Sequence, residues 1–103
     1  MDRIEKIKEF LKDSPADSFL KHALALEYVK AGNDAKAEKL FAEILQEHQD
    51  YVGSYYHLGK LLERNGNELQ AVEVYAKGMQ VAQAAGDQHA LNELRAAWED
   101  LTY

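Results

Sequence analysis

Four histidines, His22, His48, His57 and His89, are the side chains best suited to proton or metal chemistry in a chain of 103 residues that contains no cysteine. A neutral imidazole can ligate a metal or carry a proton near neutral pH. A metal cluster would need ligands clustered at one-turn spacing, and no two of these histidines stand three or four residues apart. The motifs that organise hydrolysis, phosphoryl transfer or calcium binding are missing too: there is no HExxH, GxxxxGK[ST] or GxSxG, and "GNDAKAEK" lacks the oxygen ligands and spacing of an EF-hand loop. The expectation is therefore no catalytic set, no metal site and no cofactor, with the histidines serving as polar surface groups. The absence of cysteine also removes disulfides and thiol nucleophiles, and suits a reducing, cytoplasmic setting.

Aromatic and charged residues carry the remaining chemical interest. Tyr51, Tyr55 and Tyr56 could form a platform for a ligand, although aromatics at helical spacing more often pack, and Tyr55 is assigned to packing. Twelve basic residues against eighteen acidic ones give a net charge of −6, which disfavours nucleic acid and anionic membranes because both reward neutralised phosphates. "MDRIEKIKEFLKD" interleaves charges of both signs with its apolar residues, so neither a secretory signal nor a membrane span is expected.

The elements that must position these residues read as helices throughout. Proline occurs once, at Pro15, and β-branched residues are sparse. Segment 2–13 places Ile4, Ile7, Phe10 and Leu11 at helical spacing, with Ile7, Phe10 and Leu11 expected to face inward. A second helix starts at Asp17 or Ser18 and stops at Gly32; a third follows, with Asp34 as its expected cap and Ala37, Leu40, Phe41, Ile44 and Leu45 as its apolar stripe. "SYYHLGKLLERNGN" carries an Asn-Gly pair of the kind found in hairpins, yet Tyr55, Leu58, Leu61 and Leu62 recur at three and four, not two. It is a helix from about Val52, closed by Gly66, with Asn67 capping a fifth helix through Leu69, Val72, Tyr75, Ala76, Met79 and Ala82. Gly86 and Asp87 mark a further stop and start before "HALNELRAAWEDL".

Sliding the chain by 34 residues superposes Leu24 on Leu58, Ala25 on Gly59, Gly32 on Gly66, Asn33 on Asn67, Ala37 on Ala71, Phe41 on Tyr75 and Ala42 on Ala76. Two units, 18–51 and 52–85, thus share one plan of helix, Gly-Asn turn and helix. Small residues at Ala25, Gly59, Ala37 and Ala71 permit close helix approach, and the aromatic at Phe41 or Tyr75 fills the adjoining space.

On these residues the chain resembles the tetratricopeptide repeat family, whose unit has this length and this order of aromatic, Leu-Gly, aromatic, turn glycine, alanine and aromatic. Tyr55, Leu58, Gly59, Gly66, Ala71 and Tyr75 match in one unit, and Leu24, Ala25, Tyr28, Gly32, Ala37 and Phe41 in the other. Lys21 replaces the first aromatic in unit one, Leu62 the second in unit two, Ile44 and Gly78 the later alanine, and Gln49 and Gln83 the closing proline. The resemblance implies an all-α fold, a short right-handed solenoid of antiparallel helix pairs with about six helices in one domain. Helix 2–13 then becomes an N-terminal cap, and 88–101 a C-terminal cap or half repeat, aligning Leu91, Leu94 and Trp98 with the first-helix pattern if two residues are inserted, so that the second helix of unit two, or its turn, is longer than usual.

In such a solenoid the first helices line a concave face that typically binds an extended peptide or a partner helix. The residues outside the packing pattern are the candidates: Phe19, His22, Leu26 and Val29; Gly53, Tyr56, His57, Lys60 and Arg64; and His89, Asn92, Ala96 and Glu99. Leu26 and Val29 could instead pack against the flanking cap, and Lys60 and Arg64 could simply be solvated. Chaperone-binding members grip a peptide carboxylate with lysine, asparagine and arginine; the equivalent places here hold His22, Leu26, His57, His89 and Glu93, a set in which Glu93 repels a carboxylate. The expected function is a protein-binding adaptor with no catalysis, its partner unidentified. The alternative is a structural protein that forms a homodimer through helix 88–101, using Trp98.

Overall fold

The computed structural model describes residues 2–103. Among these there are six α-helices and no strand: α1 (Arg3–Asp13), α2 (Ser18–Lys30), α3 (Asp34–Glu47), α4 (Gly53–Arg64), α5 (Glu68–Ala85) and α6 (Gln88–Thr102). They form two compact units that divide between His48 and Gln49.

In the first unit α2 is central and packs against both α1 and α3. Asp2 and Asp17 open α1 and α2 by accepting the N–H groups of Glu5 at 2.8 Å and Leu20 at 3.0 Å. The cap of α3 is Asn33, not Asp34: its side chain accepts from Lys36 N at 3.3 Å. The shift by one residue follows from the tightness of the turn. Gly32 adopts φ +78°, which brings Asn33 N within 2.8 Å of Tyr28 O, so Asn33 closes one helix with its backbone and opens the next with its side chain. Leu24, Ala25, Tyr28, Ala37, Phe41 and Ile44 are buried between the helices, and Ile7 joins them from α1. Phe10 does not. It is 60% exposed, because α2 covers a stripe of α1 centred on Ile7 and Phe10 lies beyond its edge. Ala42, shared by the two repeats, is also exposed.

In the second unit α5 is central, packing on α4 and α6, which also touch one another. The turn repeats the first: Gly66 has φ +84° and Asn67 N bonds Leu62 O at 2.7 Å, although the Asn67 side chain makes no capping bond. Asp87 caps α6 through Ala90 N at 3.0 Å. As expected, α5 is longer than α3, with 18 residues against 14. Its buried face runs through Ala71, Tyr75, Gly78 and Ala82. Leu69 is 85% exposed: two residues from Ala71, it is rotated by roughly 200° onto the far side of the helix. On α6, Leu91, Leu94 and Ala97 are buried, and Trp98 is only half-buried.

Two glycines inside helices set how closely this unit packs. The ring of Tyr75, fully buried, lies so near Gly59 that a Cβ there would meet its Cε1 at 2.2 Å. A Cβ at Gly78 would meet Tyr55 Cβ at 2.7 Å and Leu94 Cδ1 at 3.1 Å, so this one position admits both α4 and α6 to α5. Alanine is the better helix former by about 1 kcal/mol, so propensity alone predicts that either glycine gains stability on substitution. We expect the reverse: Gly59→Ala and Gly78→Ala each lower stability by about 1–3 kcal/mol through overpacking, read as a fall in the urea midpoint at unchanged slope.

Candidate interaction surface

The surfaces of α2, α4 and α6 that packing leaves over are built differently in the two units. On α2, Phe19 is 70% exposed, while Leu26 and Val29 are half-buried. His22 is half-buried, its ring edge-on to Phe41 with centroids 5.5 Å apart, so part of this candidate serves the hydrophobic interior. Lys21, which stands where the repeat pattern has an aromatic, ties α2 to the end of α3 through Glu47 at 3.2 Å. Glu27 collects Arg3 from α1 and Lys30 from its own helix, each at 3.3 Å.

On α4 the seam and the outer face separate within one residue. Tyr55 is 4% exposed and its hydroxyl donates to Gln49 O at 2.6 Å; Tyr56 is half-buried and meets the edge of His57 at 5.7 Å. Lys60 Nζ lies 5.5 Å from the centre of the Tyr56 ring and 3.6 Å from Glu63, a cation held between an aromatic face and a carboxylate. Glu63 in turn accepts the Tyr75 hydroxyl. Burial, reinforced by that hydrogen bond, holds the Tyr75 phenol protonated far above its ordinary range. Arg64 and Gly53 are exposed at the ends of α4.

α6 brings its own polar groups to α4. His89 Nε2 lies 3.5 Å from Glu93, and the same Glu93 acts electrostatically on His57, drawing its affinity for a proton upward. Burial outweighs this pull and pushes the His57 imidazole below its ordinary value. Asn92 accepts from Gln88 Nε2 at 2.9 Å; Ala96 and Glu99 are exposed. The second unit thus gathers Tyr56, His57 and Lys60 on one helix and relates His57 and His89 through Glu93. No group of three or more metal-binding side chains forms among the described residues. The Glu93 carboxylate beside His89 is unsuited to gripping an anionic chain end.

Sequence reasoning missed the links that cross between helices. Lys21 and Glu47 are 26 residues apart, and Glu63 and Tyr75 are 12 apart. The one available signal was the hydroxyl that distinguishes Tyr75 from its counterpart Phe41, since a buried phenol requires an acceptor.

Neither a family profile nor a curated protein matches the chain. Solved structures do. The crystal structure of a tetratricopeptide repeat domain protein from Salinibacter ruber is similar at 43% identity, over 84% of this chain and 96% of that one, with a TM-score of 0.81. A solution structure of a tetratricopeptide repeat domain protein from the same organism matches at 44% identity over 84% and 88% of the two chains, also at TM-score 0.81. A solution structure of a protein from Bordetella parapertussis shares the fold at 22% identity, over 99% of this chain and 89% of that one, with TM-score 0.85.

The lowered proton affinity of His57 sets a pH dependence with a defined sign. Unfolded chains protonate histidine near pH ~6.5, before the folded protein does, so stability is full above that value and falls as pH drops toward the lower folded value. His57→Gln is expected to flatten this part of the stability–pH curve below about pH 6.5. An NMR titration of the His57 ring checks the direction independently: its midpoint must lie below the ordinary histidine value of about 6.5.

Proposed function

The chain belongs to the tetratricopeptide repeat family, and from that premise we propose that it is a protein-interaction adaptor that binds an extended peptide or partner helix along its first-position helices and performs no catalysis. The observation that carries this reading is the division of α4. Its seam residues Tyr55, Leu58, Gly59 and Leu62 are consumed by packing, while Tyr56, His57 and Lys60 form a contiguous aromatic and cationic strip that the packing does not require. Half-exposed tyrosines next to a cation offer large contact area at small entropic cost, the composition of interface anchors. Phe19, His22 and Leu26 on α2, Arg64 on α4 and His89 and Asn92 on α6 are the further contact residues of this reading. No helix among the described residues is long and apolar enough to cross a membrane, and the partner is expected in the cytoplasm.

A second reading has its own observation. Trp98 is half-buried and Tyr103, 93% exposed, stands edge-on to it at 6.1 Å, which offers an aromatic surface for self-association through α6. Light scattering over a concentration series separates the two: a monomer at every concentration removes self-association. For the adaptor, proteins captured from the native host are retested with single variants. Tyr56→Ala is expected to weaken the captured partner about tenfold or more and Lys60→Ala by a smaller factor, with circular dichroism unchanged. Retention of the partner at full affinity by both variants overturns the assignment to α4.

A further inference from the structure

The first unit carries a cleft of about 280 Å³ lined by Leu24 and Tyr28 of α2 and by Lys36, Lys39, Leu40 and Glu43 of α3. Lys36 Nζ lies 5.4 Å from the centre of the Tyr28 ring, and Lys8 reaches the same ring from α1 at 5.8 Å. Two lysines and one carboxylate thus line this cleft with three apolar or aromatic side chains, and a third lysine approaches the Tyr28 ring from α1, in a chain whose net charge is −6.

Two comparisons within the molecule set this arrangement apart. Lys12, Lys21, Lys30 and Lys60 each reach a glutamate within 3.6 Å, whereas Lys8, Lys36 and Lys39 enter no ion pair among the described residues. The other repeat builds the same hairpin with Leu62, Gln70, Glu73, Val74 and Lys77 in place of Tyr28, Lys36, Lys39, Leu40 and Glu43. There neither Lys36 nor Lys39 has a basic counterpart, and the pair at 73 and 77 is reversed in sign. Like charges left together beside an apolar cleft are stabilised by whatever anion enters it, and the cleft's floor selects an anion that also carries an apolar side chain.

We infer that this cleft is a docking site for an acidic peptide segment, an apolar side chain seated on Leu24, Tyr28 and Leu40 and flanking carboxylates met by Lys8, Lys36 and Lys39. The proposal deepens the adaptor reading by giving the partner a chemistry, and it places that contact on α2 and α3 rather than on α4. Glu43 and the chain's overall negative charge oppose long polyanions such as nucleic acid, while a short peptide places few charges and can avoid the one carboxylate.

The test is an NMR titration of the intact protein with a blocked pentapeptide, leucine flanked on each side by two glutamates, and with its glutamine counterpart. The acidic peptide is expected to shift the Tyr28, Lys36 and Lys39 signals and to bind more weakly as salt rises, and the neutral peptide to leave them unmoved. Lys36→Gln with Lys39→Gln should weaken binding about fivefold or more at unchanged fold, while Tyr56→Ala leaves it intact. Equal binding of both peptides, or loss of binding in Tyr56→Ala but not in the lysine variant, overturns the cleft and leaves the α4 reading standing. Lysine-dependent self-association without peptide also overturns it, by making a second copy the occupant.

Discussion

The second unit depends on the contact between the Tyr75 ring and the bare backbone of Gly59. A fully buried phenol ring set directly on a helix backbone fixes the separation of α4 and α5, and that separation decides everything else the unit can bury. With the helices this close, Leu58 and Leu62 reach the interior, and Tyr55 comes over Gly78, where Leu94 of α6 meets it. The constraint is steric and so has little tolerance: contacts that would fall to 2.2 and 2.7 Å cannot be relieved by rotating a flexible side chain end. Both glycines forgo helix propensity, and the close packing they admit more than offsets it.

The repeats solve one packing problem with different pairs. Ala25 and Phe41 occupy the positions of Gly59 and Tyr75, and all four are buried. The unit with the larger ring has the smaller partner. The exchange carries a chemical consequence, because a phenol brings a hydroxyl that must be satisfied and a phenyl ring does not. Glu63 supplies the acceptor, and the acceptor is one turn along α4 from the glycine that admits the ring.

Helix number, both Gly-Asn turns and the assignment of Tyr55 to the seam could be read directly, because a period of 34 residues repeats the turn glycine and the small and aromatic positions together. What failed was local and has a common cause. Periodicity says which residues share a face, but not how wide a stripe a neighbour covers. Periodicity puts Phe10 inside with Ile7, yet it stands exposed at the margin of its helix, and Leu69, part of the periodic run of α5, stands on that helix's far side. The residue type of Asp34 suits a cap, while the backbone bond from Asn33 N to Tyr28 O gives that role to the preceding residue. The candidate surface was legible as a list of residues outside the pattern. Its pairings were not: that His57 feels Glu93, or that Lys60 spans Tyr56 and Glu63, depends on rotamers and on helix packing that spacing does not encode.

Those pairings join the interior of the second unit to its outer face. From the buried ring of Tyr75 a hydrogen bond leads to Glu63, from Glu63 an ion pair leads to Lys60, and Lys60 rests over Tyr56, the residue assigned to partner contact. Each step restricts the next, since an acceptor already holding a phenol has fewer orientations to offer an ammonium group. Lys60 is thereby held at two points, by the Glu63 carboxylate and the Tyr56 ring. In the first unit the corresponding ring is Phe41, which carries no hydroxyl to begin such a path and meets His22 edge-on. The repeat position that fixes helix spacing thus also decides, through one hydroxyl, whether a hydrogen bond leads from the buried ring toward the outer face.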